Sequence, residues 1–428
     1  MWEERKYSGL LKILLFIVAL ALAGGFVFYY QKTSEKNKEA DALYTELYHE
    51  QQNSAVTTST SVTQESLDAV QAEYEKDLAV VAKYLPGIVC WGDTLTAGTA
   101  GGVSFPDVLQ DLIDEKICDK YDFRSTIEKA ENLTKVKWED YTVEIPVTNM
   151  GVGEESVDTV LGRSGAIPFV TSEEFVIPAA CEPVVILFES ENGNETLPLG
   201  QGDGGVNNVT VDGIEGKLTL DPTSYKSYYR NIYYFTRTEP GAEHTVPQGT
   251  AIVTAASGKY LDNIQIICLG TYGGFEKYEE LIEKQKALIN RQTANNDRYI
   301  ILGISYLGHL YDGGYKHDFE TYENAMTQEF GNHFINIRKY LVSDGLRDAN
   351  ITPTRDDTHE IESGRIPLSL RSSTSEKELN ATSYQLIGKV IYDRMDKLGY
   401  FDEVKDELGI TALEKAEKQA AAKVTPQP

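Results

Sequence analysis

The amino-acid sequence predicts an α/β protein with a parallel sheet, an inserted β-rich segment and an N-terminal transmembrane helix. Three observations carry that expectation. Short apolar runs alternate with amphipathic helical stretches, the alternation stops over 163–262, and the chain opens on an uncharged apolar stretch.

The apolar runs are PGIVCWGD (86–93), YTVEIPVTNMG (141–151), IQIICLGTYGG (264–274) and RYIILGISYLG (298–308). Helical periodicity fills 104–120, 276–293, 320–342 and 382–398. Such alternation predicts parallel strands buried on both faces by helices, with ligands at the carboxyl ends of the strands. Between 163 and 262 the pattern becomes strand and turn, as in EFVIPAACEPVVILFES and VNNVTVDGIEGKLTLDP, with Gly, Asn and Asp at the turns. That segment predicts a small β-domain inserted between the second and third parallel strands.

Residues Ile13 to Tyr30 form an eighteen-residue run without a charge. A helix of that length, at about 1.5 Å per residue, roughly crosses a hydrocarbon core. Ala19-Leu20-Ala21 and Ala21-Leu22-Ala23 offer cleavage sites for a secretory signal. The apolar run continues past them through Phe26, Val27 and Phe28, which favours an uncleaved signal-anchor. Arg5, Lys6 and Lys12 on one side balance Lys32, Lys36 and Lys38 on the other, so charge does not set the orientation. The export-like segment and the polar spacer after it place the body outside the cell, at the cell envelope. The expected partition is a cytoplasmic tail 1–12, an anchor 13–30, a polar and helical stalk 31–84, a first body segment 85–162, the insertion 163–262, a second body segment 263–402 and a tail 403–428.

The formal charge is −26, which argues against nucleic acid as a partner and against a broad footing on anionic lipid. The four cysteines, Cys90, Cys118, Cys181 and Cys268, form no CxxC pair and so offer no zinc signature. No cofactor is implied.

The run IVCWGDTLTAGTAGG (88–102) closely resembles the first block of SGNH/GDSL hydrolases, where GDSL carries the nucleophilic serine after the first strand. NMGVGEES (149–156) is similar to the second block, close to NxGVGGES. ICLGTYGG (267–274) is similar to the third, usually GTN or GTND, and LNATSYQLIG (379–388) to the end of the last, where DxxHLN stands. The resemblance covers roughly 85–400 and implies an SGNH-hydrolase-like three-layer sandwich with ester-hydrolase or acetylhydrolase chemistry.

Each block departs from the family where chemistry is done. Thr94 stands at the nucleophile, and Glu154 at the oxyanion glycine (Glu155 if the register slips by one). Tyr272 stands at the oxyanion asparagine, Ser375 at the aspartate and Glu378 at the histidine. Threonine is stiffened by its β-branch, and a carboxylate is a poor base for an alcohol. A charge at 154 beside a developing oxyanion costs about 4 kcal/mol at about 4 Å and an effective dielectric of about 20. An alternative base is His359, in the DxxH run Asp356-Asp357-Thr358-His359. Asp93, Glu154 and Glu378 also raise the alternative of a divalent-cation site, against a plain solvated acidic mouth.

The leading expectation is a catalytically degenerate, envelope-anchored pseudo-esterase that binds cell-envelope polysaccharide or a wall-associated protein. The alternatives are a working carbohydrate esterase using Thr94 and His359, and a structural adhesion or assembly component acting through the β-insertion.

Overall fold

The computed structural model describes residues 64–98, 102–127, 136–190, 207–221, 232–294, 296–306, 315–373 and 378–424. The first strands in chain order are β1 (Ile88–Gly92) and β2 (Val147–Gly151). Nine strands follow in the insertion: β3 (Phe169–Thr171), β4 (Phe175–Ile177), β5 (Val184–Ile186), β6 (Phe188–Ser190), β7 (Asn207–Val211), β8 (Ile214–Leu220), β9 (Tyr233–Arg237), β10 (His244–Val246) and β11 (Ala251–Thr254). The chain then returns through β12 (Ile264–Cys268), β13 (Tyr299–Leu302) and β14 (Phe334–Ile335).

The returning strands join the first two in one parallel sheet, in the order β14-β13-β12-β1-β2. Alternate residues serve opposite faces. Ile88, Cys90, Ile264, Ile266 and Cys268 enter one apolar core, and Val89, Trp91, Ile267 and Leu269 enter another. The first core takes residues from helices Phe105–Ile113 and Ala381–Lys397, and the second from Val157–Ser164, Tyr278–Ile289 and Tyr315–Phe330. Cys90 and Cys268 are buried free thiols. The strand order reverses at β1, so the crevice between the carboxyl ends of β1 and β12 is the switch point where such sheets bind ligands.

The expected fold class is corrected in two respects. First, the β-rich part is not a small appendage to a three-layer body. Its seven-stranded antiparallel sheet, β5-β9-β8-β7-β11-β3-β6, is larger than the parallel one. The two end strands, β5 and β6, are halves of one extended segment joined at Leu187. The first half pairs with β9 and the second with β3, so the sheet's ends meet and it nearly closes into a barrel. Closure removes the exposed edges that an open sheet must protect. Phe169, Ile186, Phe188, Val209, Leu218, Phe235 and Ile252 pack its interior, and the β4–β10 pair adds Ile177 and Val246 to the same core. Second, no helix of the described residues is long and apolar enough to cross a membrane. The expected span 13–30 lies outside the described residues, as do the tail 1–12 and the first part of the stalk.

A smaller correction concerns 320–342, whose pattern predicts one helix. The helix ends at Phe330, Gly331 turns with φ 52°, and Phe334–Ile335 becomes the edge strand of the parallel sheet.

Candidate functional site

Strand β1 ends at Gly92, and a short helix, Thr94–Ala97, begins directly after it. Two glycines make that placement possible. A Cβ at Gly92 would lie 2.1 Å from Thr96 Oγ1, and one at Gly151, at the end of β2, would lie 2.3 Å from the Ala97 nitrogen. Asp93 caps the helix by accepting the Leu95 N–H at 3.0 Å, the usual use of an aspartate at that position. Its side chain is 1% exposed. Burial pushes the carboxyl up to about 7, against the pull of the Leu95 N–H and of the Thr271 hydroxyl and N–H.

Thr94 Oγ1 is held from two sides. It accepts the backbone N–H of Glu154 at 2.9 Å and donates to the Tyr272 hydroxyl at 3.0 Å. The structure thus brings together three positions that lie far apart in the sequence. Glu154 has φ 65°, a left-handed conformation that strains a residue with a Cβ. Its side chain is exposed while its amide faces Thr94. The backbone donor at 154 thus faces Thr94 whatever the side chain there, which side-chain chemistry alone does not reveal. Glu155, the alternative register, points elsewhere. It is buried and receives Nε and Nη2 of Arg163 at 3.1 and 2.8 Å, while Arg163 Nη2 also reaches the Met150 carbonyl at 2.7 Å. The Arg163 guanidinium lies over the Trp91 ring.

Tyr272 follows β12 on a loop with positive φ at Gly270, Gly273 and Gly274. Burial raises its phenol above the ordinary value, and the charges of Asp93, Glu154 and Glu378 raise it further. Glu378 is exposed, and its charge acts on the Tyr272 phenol. Ser375 lies outside the described residues. Asn380, just after the last block's leucine, is structural: it caps helix Ala381–Lys397 and donates to the Ser369 carbonyl at 2.8 Å.

The DxxH run forms part of helix Arg355–Glu362. Asp357 is buried within that helix's capping box. Burial alone would raise its carboxyl, but the N–H groups and hydroxyls of Ser369 and Thr354 hold it down to about 2. His359 is exposed and makes no side-chain hydrogen bond among the described residues. The structure does not bring it into hydrogen-bond contact with Thr94. Among the described residues, no three His, Cys, Asp or Glu side chains are grouped to hold a metal.

Chemically, the arrangement positions a hydroxyl, and among the described residues the Thr94 hydrogen bonds are to the Glu154 N–H and the Tyr272 phenol. The group accepting the Thr94 proton is a phenol that stays protonated at neutral pH, since its pKa is raised from an already high value. A nucleophile needs a base at that place. Of these features, the Asp93 cap had a sequence signal, an aspartate just before a short helical run. The Glu154 amide had none. No protein-family model matches this chain, and no curated protein matches it either.

Proposed function

We propose that the Thr94 pocket is a degenerate esterase-like site that binds a glycan without cleaving it. The observation that carries this reading is the Thr94 hydroxyl itself, fixed between the Glu154 N–H and the Tyr272 hydroxyl with a phenol where a base is required. The resemblance of the four sequence blocks to SGNH/GDSL hydrolases supports an ancestry in ester chemistry. Beside this hydroxyl cluster the exposed Glu154 and Glu378 offer acceptors of the kind that recognise sugar hydroxyls. These exposed acidic side chains suit neutral or amino sugars and oppose uronates.

Isothermal titration of the protein with N-acetylglucosamine tetramer, glucosamine tetramer and galacturonate tetramer tests the reading. Binding of one of the first two, weakened about five- to thirtyfold by Thr94→Val through the loss of a hydrogen-bonding hydroxyl, is the expected result. Binding confined to the uronate, or binding unchanged in Thr94→Val, overturns it.

A further inference from the structure

Two loops deliver their groups to Thr94, and one buried ammonium touches both ends of that arrangement. Lys284 sits on helix Tyr278–Ile289 and is 4% exposed. Its Nζ pairs with Asp158 Oδ1 at 2.8 Å and Glu280 Oε1 at 2.7 Å, and also donates to the Gly274 carbonyl. Asp158 lies in the first turn of helix Val157–Ser164, immediately after the loop that carries Glu154. Gly274 follows Tyr272 by two residues on the other loop. The loops meet at this point: Val157 N–H donates to the Gly273 carbonyl at 3.1 Å, and a Cβ at Gly274 would come within 3.0 Å of the Val157 nitrogen. Burial works against the Lys284 charge, but hydrogen bonds to Asp158 and Glu280 outweigh it and raise the pKa.

A buried lysine between two carboxylates is ordinarily a structural ion pair. Glu280 on the same helix would suffice for that. The contacts with Asp158 and with the Gly274 carbonyl are different in kind, because they join two segments that have no covalent reason to keep register. We propose that Lys284 is a positioning residue for the Thr94 pocket: its ammonium locks the Tyr272 loop against the Glu154 segment and so sets the two hydrogen bonds that hold Thr94 Oγ1. The pocket's use for binding rests on the reading above, whereas the lock itself is a matter of geometry.

Protein labelled with carbon-13 at the tyrosine ring ε-carbons tests the lock without any ligand, with the Tyr272 resonance assigned through Tyr272→Phe. Lys284→Met is expected to shift and broaden that resonance and to weaken glycan binding about tenfold, the loss of one or two hydrogen bonds. Glu280→Gln, which weakens the pair within the helix and keeps an oxygen to accept the Glu276 N–H, is expected to leave the resonance in place. If Lys284→Met does not fold, Lys284→Met with Asp158→Asn removes the stranded carboxylate and carries the same expectation. A Tyr272 resonance unmoved in the folded lysine variant overturns the proposal, whatever happens to the melting temperature. Failure of the wild-type protein to bind any of the three tetramers would sink the binding reading alone, since the Tyr272 resonance still decides the lock.

Discussion

The antiparallel barrel and the Thr94 corner of the parallel sheet solve opposite problems. The barrel's interior is a run of buried apolar side chains, from Phe169 to Ile252, and its tight turn between β7 and β8 uses Asp212-Gly213 (φ 49° and 77°), residue types that accept left-handed geometry at little cost. The Thr94 corner places left-handed geometry on Glu154 and buries the Asp93 carboxyl. Local chemistry agrees with structure in the barrel and conflicts with it at the corner. Conflict of that kind costs stability and marks functional sites. The left-handed glutamate and the buried acid are concentrated at the corner.

The largest effect should fall on the barrel. Phe235 is fully buried against Gly216, and Phe235→Ala should lower stability in urea titration by about 3–5 kcal/mol, the usual cost of a large cavity. A loss below about 1 kcal/mol would mean that the barrel is not held by its core. Next in size is a pH effect at the corner. The Asp93 carboxyl has its folded-state pKa raised to about 7 from 3.8, so the unfolded chain releases this proton first. Its favourable contribution is complete below about pH 4 and is lost as the pH rises through about 7, up to about 4 kcal/mol at about 1.4 kcal/mol per pH unit. Asparagine caps a helix equally well and does not titrate. The stability advantage of Asp93→Asn over the wild type should therefore grow between pH 4 and pH 8, and a constant difference would remove the argument for a strained buried acid. The smallest effect is backbone relief. Glu154→Gly should stabilise the protein by about 0.5–1 kcal/mol, since glycine accepts the left-handed conformation but gains entropy on unfolding. Destabilisation there would show that the glutamate side chain contributes more than its strained backbone costs.

The sequence makes some of this visible and hides the rest for physical reasons. Strands β1, β12 and β13 fall within apolar runs because strands covered on both faces need near-continuous apolar residues, and β2, a half-buried edge strand, falls within the fourth run with a more polar sequence. Strand β14 is two residues long and sits inside a helical pattern, so periodicity covers it. Barrel closure depends on which strands pair, and Val184–Ser190 reads as a single strand until β9 and β3 are seen on its two halves. At the site, residue letters single out Thr94, Glu154, Tyr272 and Glu378 only through a resemblance to a hydrolase pattern. They do not show that the Glu154 amide still faces Thr94, because a backbone donor is independent of the side chain. Nor do they show the links of Lys284 to Asp158 and Gly274 or of Arg163 to Glu155, which arise from packing between separate segments.

The central claim is that the corner holds a hydroxyl and does not use it as a nucleophile. The most direct measurement is hydrolysis of p-nitrophenyl acetate and of acetylated xylo-oligosaccharide by the purified protein, beside Thr94→Ala. The account predicts no turnover above the buffer rate for either protein, because the Tyr272 phenol cannot take the Thr94 proton. Turnover by the wild type that disappears in Thr94→Ala would contradict it.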